Sequence, residues 1–178
     1  ILQLRKEYDL QPDSVIAIEA LVPEEATGNL VFITPQNEME ARFSLPYCMA
    51  VALIDGELPL SAFRPTAIHR PEVQGLLTRV QMKADPAQPG NMPARGRVQR
   101  AIVNVQLKNG QTLSKTVTHP QGHPKEPLSD EKLAKKFRAC AAADVIPDKD
   151  SVKALYLLND FRSLKKIQDL TRYLPFKE

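Results

Sequence analysis

The sequence predicts an α+β fold: a two-layer sandwich built on a mostly antiparallel sheet of about four strands, with further helices at the C-terminus. Three observations predict it. Val15 to Val22 is β-branched and apolar enough for a strand. Ala101, Val103, Val105 and Leu107 alternate with polar neighbours, and after Asn109-Gly110 the alternation resumes at Leu113, Lys115 and Val117, which reads as a hairpin with one buried face. The remaining apolar residues recur at helical spacing in segments set apart from these strands.

Taken in order, residues 1–10 read as the end of a helix broken by Pro12 and Asp13. Residues 23–40, with Gly28 and Pro35, read as loops. A helix over 45–55 follows, with Ser44 as its N-cap, Pro46 in the first turn and Gly56 as a left-handed C-cap. Phe43, Tyr47, Ala50, Val51 and Ile54 form its apolar face. Residues 59–70 read as irregular, with one short turn near 62–64. Pro71 opens a helix carrying Val73, Leu76 and Leu77, and 80–84 turns extended. Residues 85–97 hold three prolines and two glycines and read as a long mobile surface loop. Asn109-Gly110 predicts a type I′ turn. Ser129 caps a helix with Leu133, Phe137 and Cys140 on its apolar side. Pro147 separates two last helices, one with Val152, Leu155 and Tyr156, the other with Leu164, Ile167, Leu170 and Leu174. The organisation expected is a helix end over 1–12, an α+β domain over 13–146 and a helical tail over 147–178.

Bulk properties narrow the function. At 178 residues, with 43% hydrophobic and 25% charged residues, the chain can bury a real core. A net charge of +3 argues against a dedicated nucleic-acid binder, and no apolar run approaches the ~20 residues of a membrane helix. Cys48 and Cys140 make no disulfide framework; they read as buried thiols, and a cytoplasmic location is expected. The chain opens without Met in the middle of an apparent helix, which reads as a portion of something longer.

Few motifs carry chemistry. His119 and His123 are four apart, but Pro120 and Gly122 between them forbid the helix that would align them on a metal, so no metal site is expected. Arg162, Lys165, Lys166 and Arg172 form a basic stripe interleaved with Asp160 and Asp169, the pattern of a solvated helix face. Glycine-rich phosphate loops and the nucleophile elbow are missing. There remains the start of the 45–55 helix, where unpaired N–H groups and the helix dipole favour a carboxylate. Tyr47 lies in that first turn; on helix physics alone such a tyrosine is a core residue.

A resemblance gives it another meaning. Residues 43–56, with Phe43-Ser44, Tyr47, Ala50, Leu53, Asp55 and Gly56, resemble the F-S-x-x-Y-x-x-A-x-x-L-x-D-G signature of the MmgE/PrpD family. Arg5 to Ala20 is similar to the helix, turn and strand just upstream, and His119 to Phe137 to the P-x-G-x-P-x-x-P-L-S-x-E-x-L-x-x-K-F run, although His123 departs from that pattern. Val152 to Leu174 resembles the paired terminal helices, so the likeness covers nearly the whole chain. The resemblance implies the C-terminal small domain of a cofactor-independent enzyme acting on a small di- or tricarboxylate. A 2-methylcitrate dehydratase, a carbon–oxygen lyase of propionate catabolism, is the first expectation. A decarboxylase or epimerase of the same family is the second, and a non-catalytic subunit or binding module the third. It implies Tyr47 as the catalytic phenol on a cleft wall and Ser44 beside it at the substrate, although capping is the stronger reading for Ser44. It further implies a helical N-terminal domain or subunit as partner, a homodimer, and a chain that is catalytically incomplete alone.

Overall fold

The computed structural model describes residues 1–88, 100–143 and 146–174; the 89–97 part of the loop expected at 85–97 lies outside the described residues. The chain divides into two compact units, Ile1–Pro120 and Gln121–Glu178.

In the first unit, α1 (Leu2–Tyr8) and a 3-10 turn lead into β1 (Val15–Val22). Two short helices, α2 (Glu24–Asn29) and α3 (Glu38–Arg42), occupy the stretch expected to be loops. Their signals are small: Glu24 and Glu25 sit in the first turn of α2, and the Asn37 side chain caps α3 by accepting from the Glu40 N–H. Then come α4 (Leu45–Asp55), a 3-10 turn (Leu60–Phe63), α5 (Pro65–Ile68) and α6 (Pro71–Leu77). β2 (Val80–Ala84), β3 (Ala101–Leu107) and β4 (Thr112–Val117) complete the sheet.

The strand order is β2-β1-β3-β4. β1 pairs in parallel with β2, through the helical crossover, and antiparallel with β3; β3 pairs antiparallel with β4. The α+β expectation therefore holds, with one parallel pair in an otherwise antiparallel sheet. One face is apolar: Val15, Ile18, Ala20, Val22, Val80, Val103, Val105 and Leu113 join α4 and α6 in a single core. The other face is wet and carries a polar chain across all four strands. Lys83 meets Glu19 at 2.6 Å, Asn104 donates to Glu19 at 3.3 Å, and Ser114 donates to Asn104 at 2.8 Å.

The hairpin is as expected but its turn is not type I′. Gly110 has φ 84°, and among the described non-glycine residues only Asp9 has a positive φ, so Asn109 does not. The Gly110 N–H donates to the Leu107 carbonyl, and the Leu107 N–H to that of Gln111. This is the three-residue connection that ends in a left-handed glycine. It needs positive φ once rather than twice, while the Asn109 side chain accepts from the Gln111 N–H.

The stretch beyond β2 is clasped at its base. Gln88 donates to the buried Asp85 carboxylate at 2.8 Å and to the Arg100 carbonyl at 2.9 Å, while the Arg100 N–H donates back to Gln88 at 2.8 Å.

The second unit holds α7 (Asp130–Ala143), capped by Ser129, then α8 (Asp148–Asn159) and α9 (Gln168–Thr171). Two expectations fail here. α8 buries Ser151 and Ala154, while Val152 and Tyr156 are exposed. The single final helix is broken: a 3-10 turn at Phe161–Ser163, an extended Leu164 and the four-residue α9 replace it. Ser163 bonds its own hydroxyl back to the Asp160 carbonyl, a local alternative to helix propagation. The basic residues Arg162, Lys165, Lys166 and Arg172 therefore share no helix face, and Arg172 pairs with Asp169 at 2.6 Å. Among the described residues no helix is long and apolar enough to cross a membrane.

Candidate functional site

The site expected at the start of α4 is built as the local signals require. The Ser44 hydroxyl accepts from the Tyr47 N–H at 3.2 Å, a proline occupies the first turn, and Gly56 ends the helix at φ 75°. The helix is not amphipathic. Pro46, Tyr47, Met49, Ala50, Val51, Ala52 and Leu53 are all buried, whereas Phe43 is exposed. α4 is thus a core helix between the sheet, α6 and the turns that follow it.

This changes the placement of both candidate residues. Tyr47 is 0% exposed, and its ring does not line an open wall. Its hydroxyl donates to the backbone carbonyl of Ala62 in the 3-10 turn, and its ring meets Phe63 at a centroid distance of 6.1 Å, tilted by 54°. Ser44 is also 0% exposed, with its oxygen committed to the cap. Neither Tyr47 nor Ser44 therefore presents its side chain at an open surface of this domain. The reason is physical: a phenol at the start of a fully buried helix must find an acceptor inside the protein, and the nearest turn supplies a carbonyl. A cleft of about 420 Å³ does open beside this helix end, lined by Leu30, Val31, Ile33, Pro46 and Met82. Pro46 reaches it; the Tyr47 side chain is enclosed.

The electrostatics follow from burial. Desolvation raises the Tyr47 phenol above its ordinary 10.0, an effect the charge of Arg70 opposes. Burial pushes the Cys48 thiol up to about 11, so it is a poor nucleophile at neutral pH; its Sγ lies 3.7 Å from the Ala41 carbonyl. Arg70 grips Asp55 with two bonds of 3.0 and 2.8 Å, which raises the guanidinium pKa further.

Several groups that shape this site gave no local signal. Arg5 donates to the Leu53 carbonyl at 2.8 Å and reaches that of Ile54 at 3.4 Å, satisfying the end of α4 from 48 residues away. Its guanidinium lies so close to Gly56 that a Cβ there would stand 2.3 Å from Nη1. Arg70, Ala62 and Phe63 likewise come from a stretch with no motif. His123 sits in a tight turn, its Nδ1 accepting from the Lys125 N–H at 3.1 Å. Among the described residues no group of three or more His, Cys, Asp or Glu side chains is gathered for a metal.

Residues 1–158 match the family described as the MmgE/PrpD C-terminal domain. The cis-aconitate decarboxylase of Mus musculus is 29% identical over 163 residues, which is 91% of this chain and 32% of that protein. The cis-aconitate decarboxylase of Homo sapiens is 31% identical over 161 residues, 90% of this chain and 31% of that protein. That of Aspergillus terreus is 29% identical over 125 residues, 68% of this chain and 24% of that protein. The chain thus spans about a third or less of the length of the curated relatives it matches. With a family match running from the first helix into α8, this chain belongs to the MmgE/PrpD family as its C-terminal domain.

Proposed function

We propose that this chain is the C-terminal domain of an enzyme that acts on a small tricarboxylate, and that the reaction is the decarboxylation of cis-aconitate. The observation that carries this reading is the family match over residues 1–158, joined to relatives named for that reaction at 29–31% identity over about nine-tenths of the chain. Dehydration of 2-methylcitrate is the second reading, because the F-S-x-x-Y signature at Phe43 to Tyr47 resembles a pattern that the family's dehydratases and decarboxylases share and so does not choose between them.

Both reactions build negative charge next to a carboxylate, and both need donors that meet that charge as it forms. This domain has one buried phenol to give, Tyr47, which can hydrogen-bond a substrate carboxylate or hand a proton to a carbanion. Decarboxylation breaks the bond to the departing carboxylate and takes up one proton at carbon, so it needs a proton donor. Dehydration needs a base for the C–H proton and an acid for the leaving hydroxyl. The remaining acid–base groups and the cations that hold the other carboxylates belong to a helical domain or subunit, and the active particle is a homodimer. The chain alone is then catalytically incomplete.

The test is turnover by the full-length protein. Carbon dioxide released from cis-aconitate, with 2-methylcitrate left intact, is the expected result. Water loss from 2-methylcitrate instead selects the second reading, and inertness toward both overturns the proposal. The 178-residue chain by itself should turn over neither substrate.

A further inference from the structure

The enclosed phenol is covered by a short strip of chain that joins α4 to α5. Residues 57–64 run from the left-handed Gly56, through Pro59, to the proline that opens α5. The backbone bonds formed within this stretch are local: Ala62 N–H to Pro59 at 3.1 Å and Arg64 N–H to Ser61 at 3.2 Å. Leu58, Leu60, Ser61 and Arg64 are exposed. Ala62 is buried and Phe63 half-buried, packed toward Tyr47 and α3, and Pro59 is half-buried as well. The base of the loop is closed by the paired bonds of Arg70 to Asp55, 15 positions apart. Its middle is tacked down by the Tyr47 hydroxyl on the Ala62 carbonyl.

We propose that residues 57–64 are a strap that lifts from α4 while the Asp55–Arg70 pair holds its base, freeing the Tyr47 hydroxyl from the Ala62 carbonyl to hydrogen-bond a substrate carboxylate. The exchange is balanced: one hydrogen bond to a backbone carbonyl is given up for one to an anionic oxygen, which is stronger. The use made of the freed hydroxyl rests on the function proposed above; the strap itself does not. Lifting it gives up the packing of Ala62, Phe63 and part of Pro59, whereas unfolding α4 would empty the core. The strap therefore belongs to the low end of the local-opening scale.

Amide hydrogen exchange on the 178-residue chain tests this without substrate. In the native protein the amides of Ala62 and Arg64 should exchange faster than those of Val51 to Asp55. Tyr47→Phe removes only the tacking bond and should speed the strap amides about fivefold to tenfold, the worth of one net hydrogen bond, leaving α4 unchanged. Phe63→Ala, a second route to the same release, should do likewise. Exchange of the strap that is unaltered in both variants, or that accelerates only together with α4, overturns the proposal. A strap that lifts in a full-length protein inert toward both acids would sink the proposed function and spare the strap; the converse spares the function alone.

Discussion

The two compact units of this chain are held together by different means. Every residue of the contiguous apolar core belongs to the first, from Leu4 to Leu113. That unit is also cross-tied over long sequence distances, by Arg5 to the end of α4, Arg79 to the Val15 carbonyl and Lys115 to Glu7. Among the described residues of the second unit the buried ones are Ala141, Ser151, Ala154 and Leu170, while Leu133, Val152, Tyr156, Phe161 and Ile167 stay exposed. Two ion pairs described there are short-range, Arg138 with Asp148 and Arg172 with Asp169. A sheet with one apolar face forces distant segments together, whereas a helical pair that meets through small side chains needs only its neighbours.

The sharpest way to break this contrast is to truncate one large apolar side chain in each unit. Leu53 is fully buried in α4, and Leu53→Ala should cost about 2–5 kcal/mol, the loss of transfer energy plus a cavity. Tyr156 is 74% exposed in α8, and Tyr156→Ala should stay within about 0.5 kcal/mol. Denaturant unfolding of both variants measures the difference. Equal losses would mean that the second unit hides an apolar interface of its own, and the contrast would fail.

The same contrast explains what was legible in the sequence. The bounds of β1, α4 and both hairpin strands follow from local alternation, caps and a turn glycine, signals written within ten or so residues. The Ser44 and Gly56 caps fall where their chemistry places them. α2 and α3 escape because a helix of five or six residues has too few positions to show a period. The buried face of α8 escapes because the spacing of Val152, Leu155 and Tyr156 points to one face while Ser151 and Ala154 pack on another. At the site, helical spacing marked Tyr47 as a core residue, but what encloses its hydroxyl was not legible. Depth is set by Ala62 and Phe63, which arrive from 15 and 16 positions away in a segment without periodicity.

A second pair of substitutions compares backbone constraints. Gly56 and Gly122 both have positive φ, 75° and 92°. Gly122 has room: the nearest atoms to an added Cβ are those of Leu128 at 3.8 Å, so Gly122→Ala should cost only the left-handed conformation, about 1–2 kcal/mol. At Gly56 the added carbon would also strike Arg5 Nη1 at 2.3 Å and push it from the carbonyls it satisfies. Gly56→Ala should therefore cost about 2.5–5 kcal/mol, the strain plus one charge-assisted bond. Thermal unfolding of the two variants checks the order. If Arg5→Ala is made first, the excess cost of Gly56→Ala should vanish, because the clash and the lost bond are then already absent.

The smallest expected difference isolates burial itself, because the chemistry is the same in both units. Ser44 caps α4 at 3.2 Å and Ser129 caps α7 at 3.3 Å, each hydroxyl accepting from the backbone N–H three residues on. Ser129 is exposed, so after Ser129→Ala water can take the place of the hydroxyl, and the loss should be about 0.5 kcal/mol. Ser44 is enclosed, so Ser44→Ala leaves the Tyr47 N–H with no acceptor and no access to water. Its cost should reach about 1–2 kcal/mol, the upper part of the capping range, where desolvation of an unpaired donor is added. Ser44→Asp discriminates further: an ionised cap would improve an exposed helix start, but here it must shed its hydration, so it should fail to restore the stability lost in Ser44→Ala. A full rescue by aspartate, read as a recovered denaturation midpoint, would mean that water reaches the start of α4, and with it the hydroxyl of Tyr47.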